Sequence, residues 1–128
     1  MEKLREAFTS NGTKLLAGKD AESNEALVEQ VSKQEEVFHT RDPGSPFVNI
    51  KGKPQRGDLK EAAIFCAKYS QAWKKHKKNP IEVHQFKGKD MFKESKMKTG
   101  TFGVKKYKVI KVRKEEIENA NFNTSPAR

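Results

Sequence analysis

His39, Arg41, Asp42 and Ser45 fall within one short run, Val37-Phe38-His39-Thr40-Arg41-Asp42-Pro43-Gly44-Ser45-Pro46-Phe47. These residue types can do hydrolytic chemistry: a histidine for acid–base work, a cation for developing phosphorane charge, a hydroxyl and a carboxylate. They are equally the types that hold a phosphate in place. The spacing favours binding. His39 and Arg41 share a strand parity, but Asp42 lies one residue on, in a turn where its carboxylate bonds nearby backbone. Ser45, between Gly44 and Pro46, is first a turn residue, and a Ser–His–Asp unit needs geometry that nearness in sequence seldom supplies. We read a stiff polar binding loop and no enzyme, with a small RNA hydrolase as the lesser alternative.

The elements that must position this loop are legible on either side of it. Val37-Phe38 and residues 47–50 are apolar and β-prone, so both flanks read as strands. Upstream, Phe8-Thr9-Ser10 meets Lys14-Leu15-Leu16-Ala17 across Asn11-Gly12, a hairpin signal. Residues 1–7 carry a short helix-like pattern and are expected to be an N-terminal extension. Asp20 or Ser23 caps a helix to about Val31, with Ala21, Leu27, Val28 and Val31 as its apolar stripe. Gly18-Lys19-Asp20 at that junction can cup a phosphate, although a turn glycine and a capping aspartate explain it as well. Asn24 is polar where the helix wants an apolar residue, and its amide is expected to bond the neighbouring loop.

Downstream, Asp58 with Glu61 has capping-box spacing, opening a helix to about residue 75. Leu59, Ala62, Ala63, Cys66, Tyr69 and Trp73 form its buried side. Cys66 in that stripe reads as a small core residue. Pro80 stops the helix after a lysine cluster. Residues 81–86 alternate as a strand. Residues 101–104 and 107–112 are expected to form a closing hairpin with Lys105-Lys106 near its turn and a row of lysines on one sheet face. Met91 and Phe92 lie in the basic loop between. Beyond about Glu118 the Asn-rich tail has nothing obvious to bury, so residues 118–128 are expected to fray. The fold class is therefore α+β: one domain, a mostly antiparallel sheet with two main helices packed on it, over residues 8–117.

Composition bounds the partner. The chain has 128 residues, 34% charged and 34% apolar, and a net charge of +10. Residues 1–50 carry a net of −3, residues 51–114 a net of +15, and the tail a net of −2. A positive block of that size suits a polyanion such as RNA, DNA or an anionic membrane surface. No apolar run approaches bilayer length and no secretory leader is visible, so no membrane association and a cytoplasmic location are expected. One cysteine and three scattered histidines give no metal spacing, and no nucleotide-binding glycine pattern occurs, so we expect no cofactor. Lysines at phosphates give affinity with little sequence discrimination, and no recognition helix is apparent, which favours structured RNA over duplex DNA. A DNA-binding scaffold is the alternative. Phe92, Tyr107 and Trp73 are candidate stacking aromatics, Trp73 being better explained as core.

Three segments together resemble a known family. They are Phe8-Thr9-Ser10-Asn11-Gly12 through Gly18-Lys19-Asp20-Ala21-Glu22-Ser23-Asn24-Glu25, then Phe38-His39-Thr40-Arg41-Asp42-Pro43-Gly44-Ser45-Pro46-Phe47-Val48, then Glu61-Ala62-Ala63 to Trp73. Residues 83–86 and Gly100-Thr101-Phe102 fit as well. The chain is similar to the NFACT RNA-binding domain over roughly residues 8–113. The resemblance implies an RNA-binding module. In larger members it follows a catalytic-looking domain, helix-hairpin-helix repeats and a coiled coil, in ribosome-associated quality control factors that bind the large ribosomal subunit and tRNA. A stand-alone copy is expected to keep only the RNA contact, on rRNA or tRNA. The resemblance carries over Lys19, Asp20 and Asn24 from the first motif and His39, Arg41, Asp42, Gly44 and Ser45 from the second. Lys51, Lys53, Lys74, Lys75, Lys105, Lys106 and Lys108 are expected to supply the surrounding positive field.

Overall fold

Asn11-Gly12 turns the chain back on itself as expected, joining β1 (Arg5–Phe8) to β2 (Lys14–Ala17) with Phe8 opposite Lys14. Gly12 takes φ of +82°, a conformation open to glycine at little cost. The computed structural model describes residues 3–123. The helix-like pattern near the N-terminus does not form a helix. Arg5, Glu6 and Ala7 are strand, because pairing with β2 buries Ala7 where an isolated turn of helix would leave it exposed.

Helix α1 (Ala21–Glu29) starts at Asp20, whose carboxylate accepts from the Ser23 N–H at 2.9 Å while the Ser23 hydroxyl accepts from the Asp20 N–H. It stops two residues short of Val31. Strands β3 (Glu36–Thr40) and β4 (Val48–Ile50) pair antiparallel around the polar loop, Phe38 facing Val48. Helix α2 (Asp58–Lys68) is capped by Gly57 in the left-handed region and not by Asp58. Asp58 and Glu61 are spent elsewhere: Asp58 accepts from the Gln55 N–H and Asn11 Nδ2, and Glu61 accepts from Ser10. Both acids therefore pin the β1–β2 turn to the helix start.

The expected long helix breaks at Tyr69-Ser70, and a separate turn α3 (Gln71–Lys74) follows. The Gln71 N–H donates to the Gly44 carbonyl at 2.8 Å, so it cannot continue the α2 ladder. Ser70 donates to the Ala67 carbonyl and accepts from the Trp73 N–H, closing one helix and capping the next.

Strand β5 (Ile81–Lys87) follows, then a single 3-10 turn at Gly88–Asp90, β6 (Met91–Phe92), β7 (Gly103–Val104), β8 (Lys108–Val112) and α4 (Lys114–Glu118). The antiparallel sheet runs β1-β2-β4-β3-β5-β8, and β6-β7 form a separate pair. The closing hairpin of the sequence reading is thus replaced: β7 pairs with β6, and β8 crosses to β5. Nor do the β8 lysines share one face. Lys108 has the parity of Ile110 and Val112, which pack toward α2, whereas Lys111 has that of exposed Val109.

Helices α2, α3 and α4 cover one sheet face over Phe38, Leu15, Val48, Ile50, Phe65 and the alanines of α2. The alanines let the helix lie close to the strands. Helix α1 and the β6-β7 pair cover the other face over Leu27, Val37, Phe47 and Phe86. Met91 tucks down into this second cluster. A fully buried Phe or Leu here contributes about 1.5–3 kcal/mol. The tail was expected to have nothing to bury, yet Phe122 packs edge-on against Phe65 at 4.9 Å, and the Phe8 N–H donates to the Asn123 carbonyl. Residues 124–128 of the expected flexible tail lie outside the described residues.

Candidate nucleic-acid interface

Both sequence motifs meet in one groove of about 670 Å³. It lies where β3 ends, between the start of α1, the 41–47 loop, the first turn of α3 and the 99–102 segment. Main-chain and side-chain hydrogen bonds fix these walls. The Gly18 N–H donates to the Phe47 carbonyl at 3.1 Å, and the Phe47 N–H donates to Asn24 Oδ1 at 3.1 Å. Asn24 thus bonds the neighbouring loop, as its polar character suggested. Glu25 accepts from the Gly100 N–H at 2.6 Å and from Lys93 Nζ at 3.1 Å, holding the 99–102 segment over α1.

Gly18 cannot gain a side chain, since a Cβ there would run into Asn24 Oδ1. Gly18→Ala is expected to cost about 1–3 kcal/mol by overpacking and to free the Phe47 amide. Amide hydrogen exchange at Phe47 no faster than in the wild type would count against this brace.

Arg41 is exposed, its backbone N–H anchored to the Glu82 carbonyl at 2.9 Å. Lys19 at the start of α1 and Lys74 on α3 are both exposed and both line the groove. Arg5, which the sequence reading passed over, completes the set. Its guanidinium lies 4.2 Å from the Tyr69 ring centroid and reaches the Gly18 carbonyl. Reading residues 1–7 as a helical extension hid it; strand parity from Phe8 backward was the available signal. Against Arg5, Lys19, Arg41 and Lys74, Asp20 is the one carboxylate lining the groove among the described residues, and the Ser23 backbone and side-chain bonds hold its pKa below the ordinary 3.8.

His39 is half-buried beside Phe47, ring centroids 4.5 Å apart. Its Nδ1 lies 2.7 Å from the Thr40 carbonyl, which can only accept, so Nδ1 carries the proton. Burial lowers its pKa below the usual 6.5, the Thr40 bond opposes this, and His84 adds a further lowering. The neutral ring offers Nε2 as an acceptor, suited to a ribose hydroxyl or base N–H and not to phosphate. An NMR titration should place His39 below 6.5 in the Nδ1-H tautomer. Because the folded pKa is depressed, the neutral ring's contribution to stability is present above 6.5 and falls away as pH drops through the folded value. A His39 resonance titrating at or above 6.5 would refute this.

The other loop residues serve the loop. Asp42 pairs with Lys78 at 2.7 Å, which with Arg41 and His76 nearby holds its carboxyl below the ordinary range. Ser45 is turned inward: its hydroxyl accepts from the Thr40 N–H, donates to the Pro46 carbonyl and sits 3.6 Å from Cys66 Sγ. Burial pushes the Cys66 thiol up to about 12. Ser45, His39 and Asp42 therefore do not share hydrogen bonds, and the geometry of a hydrolytic triad is not assembled. Gly44 needs its φ of +87°, and a Cβ would press on Gln71 Cγ at 2.7 Å. Among the described residues no cluster of metal ligands occurs.

The remaining lysines scatter. Lys51 leaves the far end of β4 and pairs with Glu35 at 2.8 Å, with exposed Lys53 beyond it, so neither joins the groove. Lys75 is exposed just past α3 and does not line the groove. The Lys105 N–H donates to the Asp90 carbonyl, while Lys106 and Lys108 line a second cleft of about 340 Å³. The single continuous surface expected from the charge count is thus a compact groove plus a neighbouring cleft.

A family model described as the NFACT protein RNA binding domain matches residues 3–106. The chain belongs to that family. This NFACT RNA-binding domain is also 38% identical over 68 residues to the archaeal Rqc2 homolog aRqcH of Methanocaldococcus jannaschii. That match spans 50% of the chain and 10% of the relative. The fold is shared with the C-terminal part of the fibronectin/fibrinogen-binding protein of Streptococcus suis, at a TM-score of 0.80 and 24% identity, over 92% of this chain and 49% of that one. Among the described residues no helix is long and apolar enough to cross a membrane.

Proposed function

We propose that this NFACT RNA-binding domain holds structured RNA, rRNA or tRNA, in the groove at the end of β3, as a non-catalytic module of cytoplasmic ribosome-associated quality control. The large ribosomal subunit is the natural site of that contact. The observation that carries the reading is the convergence of Arg5, Lys19, Arg41 and Lys74 on one groove whose single carboxylate among the described residues is a helix cap. Cations held this way take phosphates, while neutral His39 takes a donor from sugar or base. Its likeness to the Rqc2 homolog supports the ribosomal setting.

The test is fluorescence anisotropy with tRNA and a large-subunit rRNA fragment over a salt series, with duplex DNA as competitor. Structured RNA is expected to bind with a steep salt dependence, and Arg41→Ala to weaken it. Equal binding by wild type and Arg41→Ala at every salt concentration would overturn the assignment; equal competition by duplex DNA would favour a DNA scaffold.

A further inference from the structure

Tyr107 lies on the rim shared by the groove and the second cleft. It is 52% exposed, and Val109, two residues on, is the other large apolar side chain left open among the described residues. One face of the Tyr107 ring is covered: His84 stacks on it with centroids 3.9 Å apart and planes 14° from parallel. His84 is itself held by Glu82 at 2.9 Å. The rest of the ring is open to solvent, backed by a histidine that is itself hydrogen-bonded.

The cleft beyond is cationic. Lys87, Lys89, Lys106 and Lys108 line it against Glu36 and Asp90. Glu36 accepts from Gln85 at 3.1 Å and pairs with Lys87 at 4.0 Å, which leaves Lys89, Lys106 and Lys108 against Asp90. An exposed flat ring between two cationic depressions has the layout of a single-strand track, in which a base stacks while phosphates on either side meet lysines. A duplex cannot use it, because its bases are already stacked on one another.

The geometry points to Tyr107 as a stacking platform for one unpaired base of an RNA strand whose backbone passes from the groove into the second cleft. This rests on the RNA-binding reading above and adds to it a ligand class: RNA with an unpaired segment beside its structured part. Tyr107 and Lys108 lie outside the family match, which ends at Lys106.

The experiment compares a blunt RNA hairpin with the same hairpin carrying an unpaired oligoadenosine extension, by anisotropy, on the full chain. Wild type should bind the extended hairpin more tightly. Tyr107→Ala should lose that gain, about tenfold in affinity for one stacked base, so that it binds the extended and the blunt hairpin alike. Tyr107→Phe should keep the gain. Equal binding of both hairpins by wild type overturns the platform and leaves the RNA-binding reading standing. A gain that survives in Tyr107→Ala, or disappears equally in Tyr107→Phe, also overturns it. Failure of wild type to bind either hairpin removes both readings.

Discussion

Asp58→Ala lowers the unfolding free energy by about 3 kcal/mol, the expected loss for stranding donors around a buried carboxylate. Asp58 is 0% exposed, and its oxygens accept from the Gln55 N–H at 2.8 Å and Asn11 Nδ2 at 3.0 Å. Burial opposes its ionisation, but these bonds and those from the Thr13 and Thr9 hydroxyls win, leaving its pKa below the ordinary 3.8. A depressed carboxylate pKa contributes stability that is present above 3.8 and lost as pH falls through the folded value. Asp58→Asn keeps the shape but turns an N–H toward other donors, so it should lose most of the same free energy at neutral pH. Urea unfolding at pH 7 reads both variants. A loss under about 1 kcal/mol in both, the range of an ordinary surface change, would mean that the hairpin tip is not held by this carboxylate.

Arg41→Ala combined with Lys74→Ala should reduce the salt slope of RNA binding by about 1.5 and affinity at 0.1 M salt by about thirtyfold, the counterion-release effect of two lost phosphate contacts. Neither change should alter stability. Both side chains are exposed, and the Arg41 backbone bond to Glu82 survives in alanine. Lys53→Ala is the matched control, an exposed lysine at the opposite end of β4. If its slope falls by about half as much as the double variant's, the share of one charge in two, binding follows bulk charge and not the groove.

What the sequence disclosed was local. Asn11-Gly12 announces its hairpin, Pro43-Gly44 a tight loop, and Asp20 a helix start, because each determinant lies within a few residues of its effect. Non-local partners were hidden. Alternation in residues 101–112 marks strands but cannot say with what they pair, so β7 and β8 were joined to each other instead of to β6 and β5. Asp58 and Glu61 have cap spacing, yet the hairpin turn competes for them and wins. Family motifs located Lys19, Asn24, His39, Arg41 and Gly44 at one place, but a charge count has no direction, and it could not separate Lys74 from Lys51. Arg5 and Tyr69 needed three-dimensional proximity to be seen.

The pairing of the Gln71 amide with the Gly44 carbonyl has its own implication. The clamp between the polar loop and α3 is made of main-chain atoms at both ends, so ordinary side-chain replacement leaves it intact. Mutational scanning will under-count its importance everywhere except at Gly44, where the left-handed backbone and the crowding by Gln71 expose it. Chains that drift far apart in composition can therefore keep the same distance between Arg41 and Lys74, since that spacing is set by a joint that residue identity barely touches.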